Sequence, residues 1–388
     1  MLYKVPFFDN DDIFKENQIK MHEFDVERIK ENSKNKVRVY GAKRTFLKKY
    51  EHFFKSVFRS IFKIIAVYLL NNKKNKNYVA CVVYGGIGDK LRCKSAVTSL
   101  LNMFPSNTIV DIYDRKSRFI FSDVNIRFFL DIEIWTILKK KYDIMYMLIT
   151  EAEILNIKRG KSFTEKIKKN ISYYKNTYFS QNNKNRHLIS DMKARCGVDN
   201  IEDLALTINY KQKPLEKFNI ENGLKYVTVQ YGFGGDGKND DIKCWNTKNW
   251  EKLIKILKTK FKNIAVVQVG ISNYRLQNVD INVAKKTSLD ELCSILKKSL
   301  LHIDIDGACS HIAWALRTKS IILFGPTDAK YSMYPENINI MSSICGGCWH
   351  RFGKCVIGEE KPSVCMNSIN PEFVTEKAID YINSLNIE

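Results

Sequence analysis

Residues 301–327, LHIDIDGACSHIAWALRTKSIILFGPT, constrain the fold more than any other stretch of this chain. An apolar run ends in Asp304 and Asp306, and a turn of small residues follows at Gly307, Ala308 and Cys309. Ser310 and His311 open an apolar helix, and a second apolar run, 320–324, closes in Gly325-Pro326-Thr327. Strand, helix and strand in that order form a βαβ unit, which requires a parallel sheet. In open α/β sheets, ligands lie beyond the carboxyl ends of the strands. This stretch supplies two such ends and one helix N-terminus, which favours anions. An acid and a histidine five residues apart at that edge point to a sugar-nucleotide site.

The same alternation recurs on both sides of a polar linker. Residues 78–84, YVACVVY, form a continuous apolar run, as a buried parallel strand requires. A turn at Gly85-Gly86-Ile87-Gly88-Asp89 leads into a helix to about Leu101, with further strands expected at 108–113 and 143–148. Residues 150–200 are polar, Lys/Asn-rich and mostly helical in pattern, and 209–222, with Pro214, read as an interdomain linker. Beyond it come a strand at 226–230, a glycine-rich loop at 232–237, and a helix capped by Thr247 that carries Trp250, Leu253, Ile254 and Leu257 on one face. A strand at 264–269, a helix at 288–298 capped by Ser288, the opening stretch and a closing helix at 371–385 complete the second half. The expected architecture is therefore α/β, with an extension over 1–76, one doubly wound domain over 77–215 and a second over 216–388.

Composition narrows the partners. The 388 residues carry a net charge of +21, which favours anionic ligands and surfaces. Ten Lys/Arg and a single acid, Glu51, fall within 43–76. There Phe46/Leu47, Tyr50, Phe53/Phe54, Val57/Phe58, Ile61/Phe62 and Ile65 recur with helical period. A basic amphipathic helix of this kind suits peripheral contact with an anionic membrane, or packing on the domain, or a subunit contact in a homo-oligomer. The ten cysteines, and an N-terminus (MLYKVPFFDNDD) without the basic start and apolar core of a signal peptide, lead us to expect reduced thiols and a cytoplasmic setting. No uncharged apolar run reaches the length of a spanning helix.

Four clusters carry chemistry. GGIGDK lacks the dinucleotide-binding spacing and does not end as a P-loop does, but it places Asp89 in the first turn of a helix, where a carboxylate either accepts a proton or simply complements the helix dipole. Lys243-Cys244-Trp245, with Trp250 close behind, places a cation after the glycine-rich loop, suited to a phosphate. Asp306 suits ribose or sugar hydroxyls, while Ser310 and His311 suit phosphate. Cys345-Gly-Gly-Cys348, Cys355 and Cys365 match a Cys₄ site for zinc or iron. Four thiols leave no open position, so the site would be structural and no catalytic metal is implied; the alternative is a redox pair at Cys345 and Cys348. Trp349 after Cys348 excludes c-type haem attachment.

Together these pieces resemble glycosyltransferase family 9, the bacterial ADP-heptose heptosyltransferases. The resemblance rests on Gly88-Asp89-Lys90-Leu91, Lys243-Cys244-Trp245 with Trp250, Asp306 to His311, Phe324-Gly325-Pro326-Thr327 and the cysteine tail to Met366, and it covers about 77–385. It implies a GT-B fold of two Rossmann-like domains facing across a cleft, acceptor domain first and donor domain second. The implied reaction is an inverting transfer from a nucleotide-activated sugar such as ADP-heptose to a lipopolysaccharide, glycan or protein hydroxyl. By position the resemblance makes Asp89 the general base and gives Lys243 the leaving diphosphate. Asp306, Gly307, Ala308, Ser310, His311 and Thr327 would hold the donor. The cysteine tail is similar to the iron-binding finger of autotransporter heptosyltransferases. Two rival readings are a sugar-nucleotide epimerase of the same fold and a Cys₄ nucleic-acid-binding protein. The second is disfavoured because the excess charge concentrates in 43–76 and no RNP-type motif is present, so no nucleic acid partner is expected.

Overall fold

A computed structural model describes residues 2–4, 42–71, 75–149, 152–179, 186–232, 242–348, 355, 357–358 and 363–386. These divide into two compact units: one comprises 2–4 with 210–386, the other 42–209. The N-terminal extension is thus shared between them. Its first strand, β1 (Leu2–Lys4), pairs in the sheet of the later unit, whereas its helix, α1 (Ala42–Leu70), packs on the earlier one.

The earlier unit is built on strands β2 (Asn77–Val83), β3 (Thr108–Tyr113), β4 (Phe128–Leu130), β5 (Ile144–Leu148) and β6 (Ala152–Ile157), in the sheet order β4-β3-β2-β5-β6. All pairs are parallel except β5 with β6. Val79 to Val83 are buried on both faces of the sheet, as their unbroken apolar run requires. Helix α2 (Ile87–Met103) buries Leu91, Cys93, Ala96, Val97 and Leu100, and it lies beside α4 (Leu188–Cys196), which follows α3 (Ser162–Asn176). On the opposite face, Val57, Ile64 and Val67 of α1 join Tyr78, Val82, Tyr113, Leu130 and Tyr142 in one core. Polar ties fix α1 in place: Ser56 donates to Glu133 at 3.0 Å, Ser60 to Asp131 at 3.3 Å and Lys63 to the Phe129 carbonyl at 2.9 Å. Of the apolar positions read along 43–76, the side chains of Phe46, Leu47 and Tyr50 lie outside the described set.

The later unit contains β7 (Tyr226–Gln230), α5 (Thr247–Lys260), β8 (Ala265–Val269), β9 (Ile281–Asn282), α6 (Leu289–Lys298) and β10 (His302–Ile305). The chain continues through α7 (Ala308–Ala315), β11 (Ser320–Phe324), β12 (Ile338–Met341) and α8 (Pro371–Ser384). Its seven strands are parallel, in the order β1-β12-β11-β10-β7-β8-β9. Trp250, Leu253, Ile254 and Leu257 of α5 enter the core with Trp245, whose indole donates to the Ile369 carbonyl at 3.0 Å. The cap of α5 is one residue earlier than expected: the Asn246 side chain accepts from the Lys248 N–H, and Thr247 is already helical. Ser288 caps α6 in a capping box with Glu291. No helix of the described residues is long and apolar enough to cross a membrane.

Candidate functional site

The carboxyl ends of β7, β10 and β11 carry Gln230, Asp306 just beyond Ile305, and the turn Gly325-Pro326-Thr327. Lys243 reaches this edge. Its ammonium donates to the Asp306 carboxylate at 2.7 Å and to the Asp306 carbonyl at 2.8 Å, with both residues buried. Burial alone would push the Asp306 carboxyl up, but the charges of Lys243 and His311 and hydrogen bonds from Lys243 and Thr327 hold it well below the usual carboxylate range. His311 lies inside the first turn of α7, with Nδ1 2.6 Å from the Tyr334 hydroxyl, and Tyr334 stacks on Trp314 with ring centroids 4.7 Å apart. Four residues singled out from sequence, Lys243, Asp306, His311 and Thr327, therefore meet at one point of the sheet edge.

Ser310 is buried and does a different job. Its hydroxyl donates to the Gly307 carbonyl at 2.7 Å and receives the Gly307 N–H at 3.4 Å, closing the first turn of α7. Ala308 is exposed and Gly307 half-buried, so the backbone at this helix start is open where Ser310's side chain is not. Two partners were not read from sequence. Tyr334 fixes His311, and nothing in its local pattern marks it. Gln230 ends β7 as a polar residue after an apolar strand, the same signal that marked Asp306, and its Oε1 is 3.9 Å from where a side chain on Gly307 would begin. Asp304 has a structural role: fully buried, it accepts from the Ile305 N–H at 2.7 Å and faces His302 at 3.2 Å.

Asp89 belongs to the earlier unit. It is the third residue of α2, with one carboxylate oxygen accepting from the Gly86 N–H at 2.9 Å and the other paired with Arg92. Gly85 has φ +104, and a Cβ there would come within 2.5 Å of the Asp89 carboxylate. The carboxylate is thus fixed in direction and remains partly exposed, as a proton acceptor must be. Lys90 next to it pairs with Asp114 at 2.6 Å. The glycine-rich loop lies outside the described residues beyond Gly232.

The four cysteines of the tail come together. Cys345, Cys348, Cys355 and Cys365 wall one small cavity with Pro326 and Ser363. Cys345 shares its proton with Cys365, which pushes Cys345 up and holds Cys365 below the ordinary thiol value, helped by the Ser363 hydroxyl 3.1 Å from its sulfur. A buried sulfur among three other thiols is the donor chemistry of a soft metal. Among the described residues no group of three or more His, Cys, Asp or Glu side chains stands in an arrangement that could hold an ion.

Residues 212–355 match the family model described as glycosyltransferase family 9 (heptosyltransferase). Among curated proteins, the lipopolysaccharide heptosyltransferase 3 of Escherichia coli K12 is 33% identical over 109 residues, 25% of this chain and 31% of that protein. The lipooligosaccharide heptosyltransferase 2 of Campylobacter jejuni (strain 81116) is 24% identical over 241 residues, 56% of this chain and 72% of the relative. Among solved structures, the iron-containing dodecameric glycosyltransferase TibC of enterotoxigenic E. coli superposes with a TM-score of 0.57 at 15% identity, covering 81% of each chain. Its complex with ADP-D-β-D-heptose superposes at 0.55. The likeness to these structures is one of fold: two α/β domains with parallel sheets, the GT-B architecture.

Proposed function

We propose that this chain, whose residues 212–355 match the glycosyltransferase family 9 model, transfers a heptose or related sugar, with inversion, from a nucleoside diphosphate donor such as ADP-heptose to a hydroxyl of a lipopolysaccharide, another glycan or a protein. The observation that carries this reading is the buried group of Lys243, Asp306, His311 and Thr327 beside the open N-terminus of α7. The Asp306 carboxylate and carbonyl hold the Lys243 side chain at the sheet edge. There Lys243, His311 and the backbone of Gly307 and Ala308 would receive the diphosphate, and Ser310 would hold that backbone in shape. In the transfer, the acceptor oxygen loses its proton to Asp89 and bonds to the anomeric carbon. The bond from that carbon to the diphosphate breaks, and the nucleoside diphosphate leaves with the electron pair. The pairing of Asp89 with Gly86 N–H and Arg92 supports this role by fixing the carboxylate.

Asp89→Asn should abolish transfer while leaving the thermal stabilisation by ADP intact. Retained transfer in that variant removes Asp89 as the base, and absence of any stabilisation by nucleoside diphosphates removes the reading as a whole.

We extend the proposal to Cys345, Cys348, Cys355 and Cys365 as ligands of a structural iron or zinc ion. The ion would tie the loop before α8 to the Gly325 turn, where the Gly347 N–H donates to the Gly325 carbonyl at 3.1 Å. Elemental analysis of the purified chain should find about one metal per chain, and Cys345→Ser should lose it; metal-free protein of unchanged stability rejects the site. The reading also includes a cytoplasmic setting with peripheral contact of residues 43–76 with an anionic membrane.

A further inference from the structure

The outward face of α1 carries a run of exposed large apolar side chains. Phe54, Phe58, Phe62 and Leu69 are 65%, 80%, 85% and 71% exposed, with Ile61, Ile65 and Tyr68 also in solvent. They stand at i, i+4, i+7, i+8, i+11, i+14 and i+15, one stripe about 22 Å long. The opposite face is occupied by Ser56, Ser60 and Val67, so this ridge is not the one that docks the helix. Three phenylalanines aligned on a surface are not scatter; contiguous patches of this size mark an interface.

At the C-terminal end of the ridge lies a pocket lined by Tyr68, Thr136, Ile137, Lys139, Lys140, Lys141 and Lys158. Lys141 sits 4.2 Å over the Tyr68 ring, joining pocket to ridge, and Ile137, 39% exposed, continues the apolar floor. Among the described residues no carboxylate pairs with Lys139, Lys140 or Lys141, while Lys158 is shared with Asp143 at 3.6 Å. Two acids of the neighbouring segment are engaged elsewhere: Asp131 with Arg59 and Ser60, Glu133 with Ser56. Lys55 and Arg59 lie beside the N-terminal part of the ridge.

We infer that the ridge of α1 and the four-lysine pocket form one membrane-docking surface, in which the apolar side chains enter the acyl boundary and the pocket takes the phosphate of an anionic phospholipid headgroup. The argument is charge complementarity: apolar side chains bordered at one end by a pocket lined with four lysines fit a bilayer with negative headgroups. They fit a second copy of the same basic face poorly, because like charges would be brought together. The inference deepens the membrane contact proposed for residues 43–76 by adding a headgroup site that those residues alone do not contain.

The test is co-sedimentation of the full chain with vesicles of phosphatidylcholine alone or mixed with phosphatidylglycerol. Binding should be at least about tenfold stronger to the mixed vesicles and weaken with added salt. Phe58→Ser/Phe62→Ser should abolish it, and Lys139→Ala/Lys140→Ala/Lys141→Ala should remove the preference for phosphatidylglycerol. All five side chains are at least partly in solvent, and an unchanged melting temperature confirms that the variants fold. If the phenylalanine variant loses binding but the lysine variant keeps its preference, the headgroup site is wrong and the simpler membrane contact stands. If no vesicle is bound by the unaltered chain, both fail. A mass in solution that halves in the phenylalanine variant, without vesicle binding, assigns the ridge to a second copy instead.

Discussion

Lys243 and Asp306 are the two residues at which stability and the proposed ligand recognition meet. Both partners are almost wholly buried, so removing one leaves a buried charge unanswered, a loss of about 3–5 kcal/mol in comparable pairs. Lys243→Met should therefore destabilise the chain by that order in denaturant unfolding at neutral pH. Adding Asp306→Asn to it should restore part of the loss. The pH dependence follows from the direction of the Asp306 shift. A carboxyl whose folded value is depressed contributes stability above its unfolded value, and that contribution disappears as pH falls through the folded one. The gap between unaltered chain and Lys243→Met should accordingly be widest near neutrality and close in strong acid; a gap that widens on acidification would contradict the assignment. The two partners stood out in the sequence because Lys243 follows the glycine-rich loop and Asp306 ends an apolar run before a helix. Tyr334 did not, since its role depends on a contact with His311 from 23 residues away in the chain.

At the scale of the element, turns explain what periodicity does not. Gly85 and Gly160 both hold positive φ, +104 and +87, but a Cβ at Gly160 meets nothing within 4 Å, while one at Gly85 strikes Asp89. Substituting either by alanine costs backbone strain of similar kind. Only Gly85→Ala should displace the carboxylate, so transfer should fall by about a hundredfold there and hardly at all in Gly160→Ala. Equal activity in the two variants would show that the Asp89 position is not what Gly85 protects. A strand with a long apolar run, such as β2, is legible because burial on both faces favours that composition. Strand β6 falls in a stretch that reads as mostly helical: its sequence AEILNI is half-exposed at a sheet edge, where polar residues are tolerated and the pattern carries little signal. Strand β1 is three residues long, too short for any period, and only its pairing with β12 reveals it.

For the whole molecule, the two α/β units were legible from the alternation of strands and helices on either side of the linker, and the structure moves the division to between 209 and 210. The lysine pocket was not legible, because it is assembled from the end of α1, the segment 136–141 and Lys158, which only the fold brings together. The assignment of donor chemistry to the later unit makes a claim that hydrogen exchange can check. A ligand protects the amides whose opening it opposes, by an amount set by its concentration over its dissociation constant, about 2.7 kcal/mol at a hundredfold excess. ADP alone should slow exchange at the start of α7 and in the β11 turn, where Gly307, Ala308 and Thr327 would meet its phosphates. It should leave β2 and the first turn of α2 unchanged, since Asp89 is assigned to an acceptor that is not yet there. Protection at Gly86 to Lys90 by ADP alone would mean that the carboxylate serves the donor, and the base would have to be sought elsewhere.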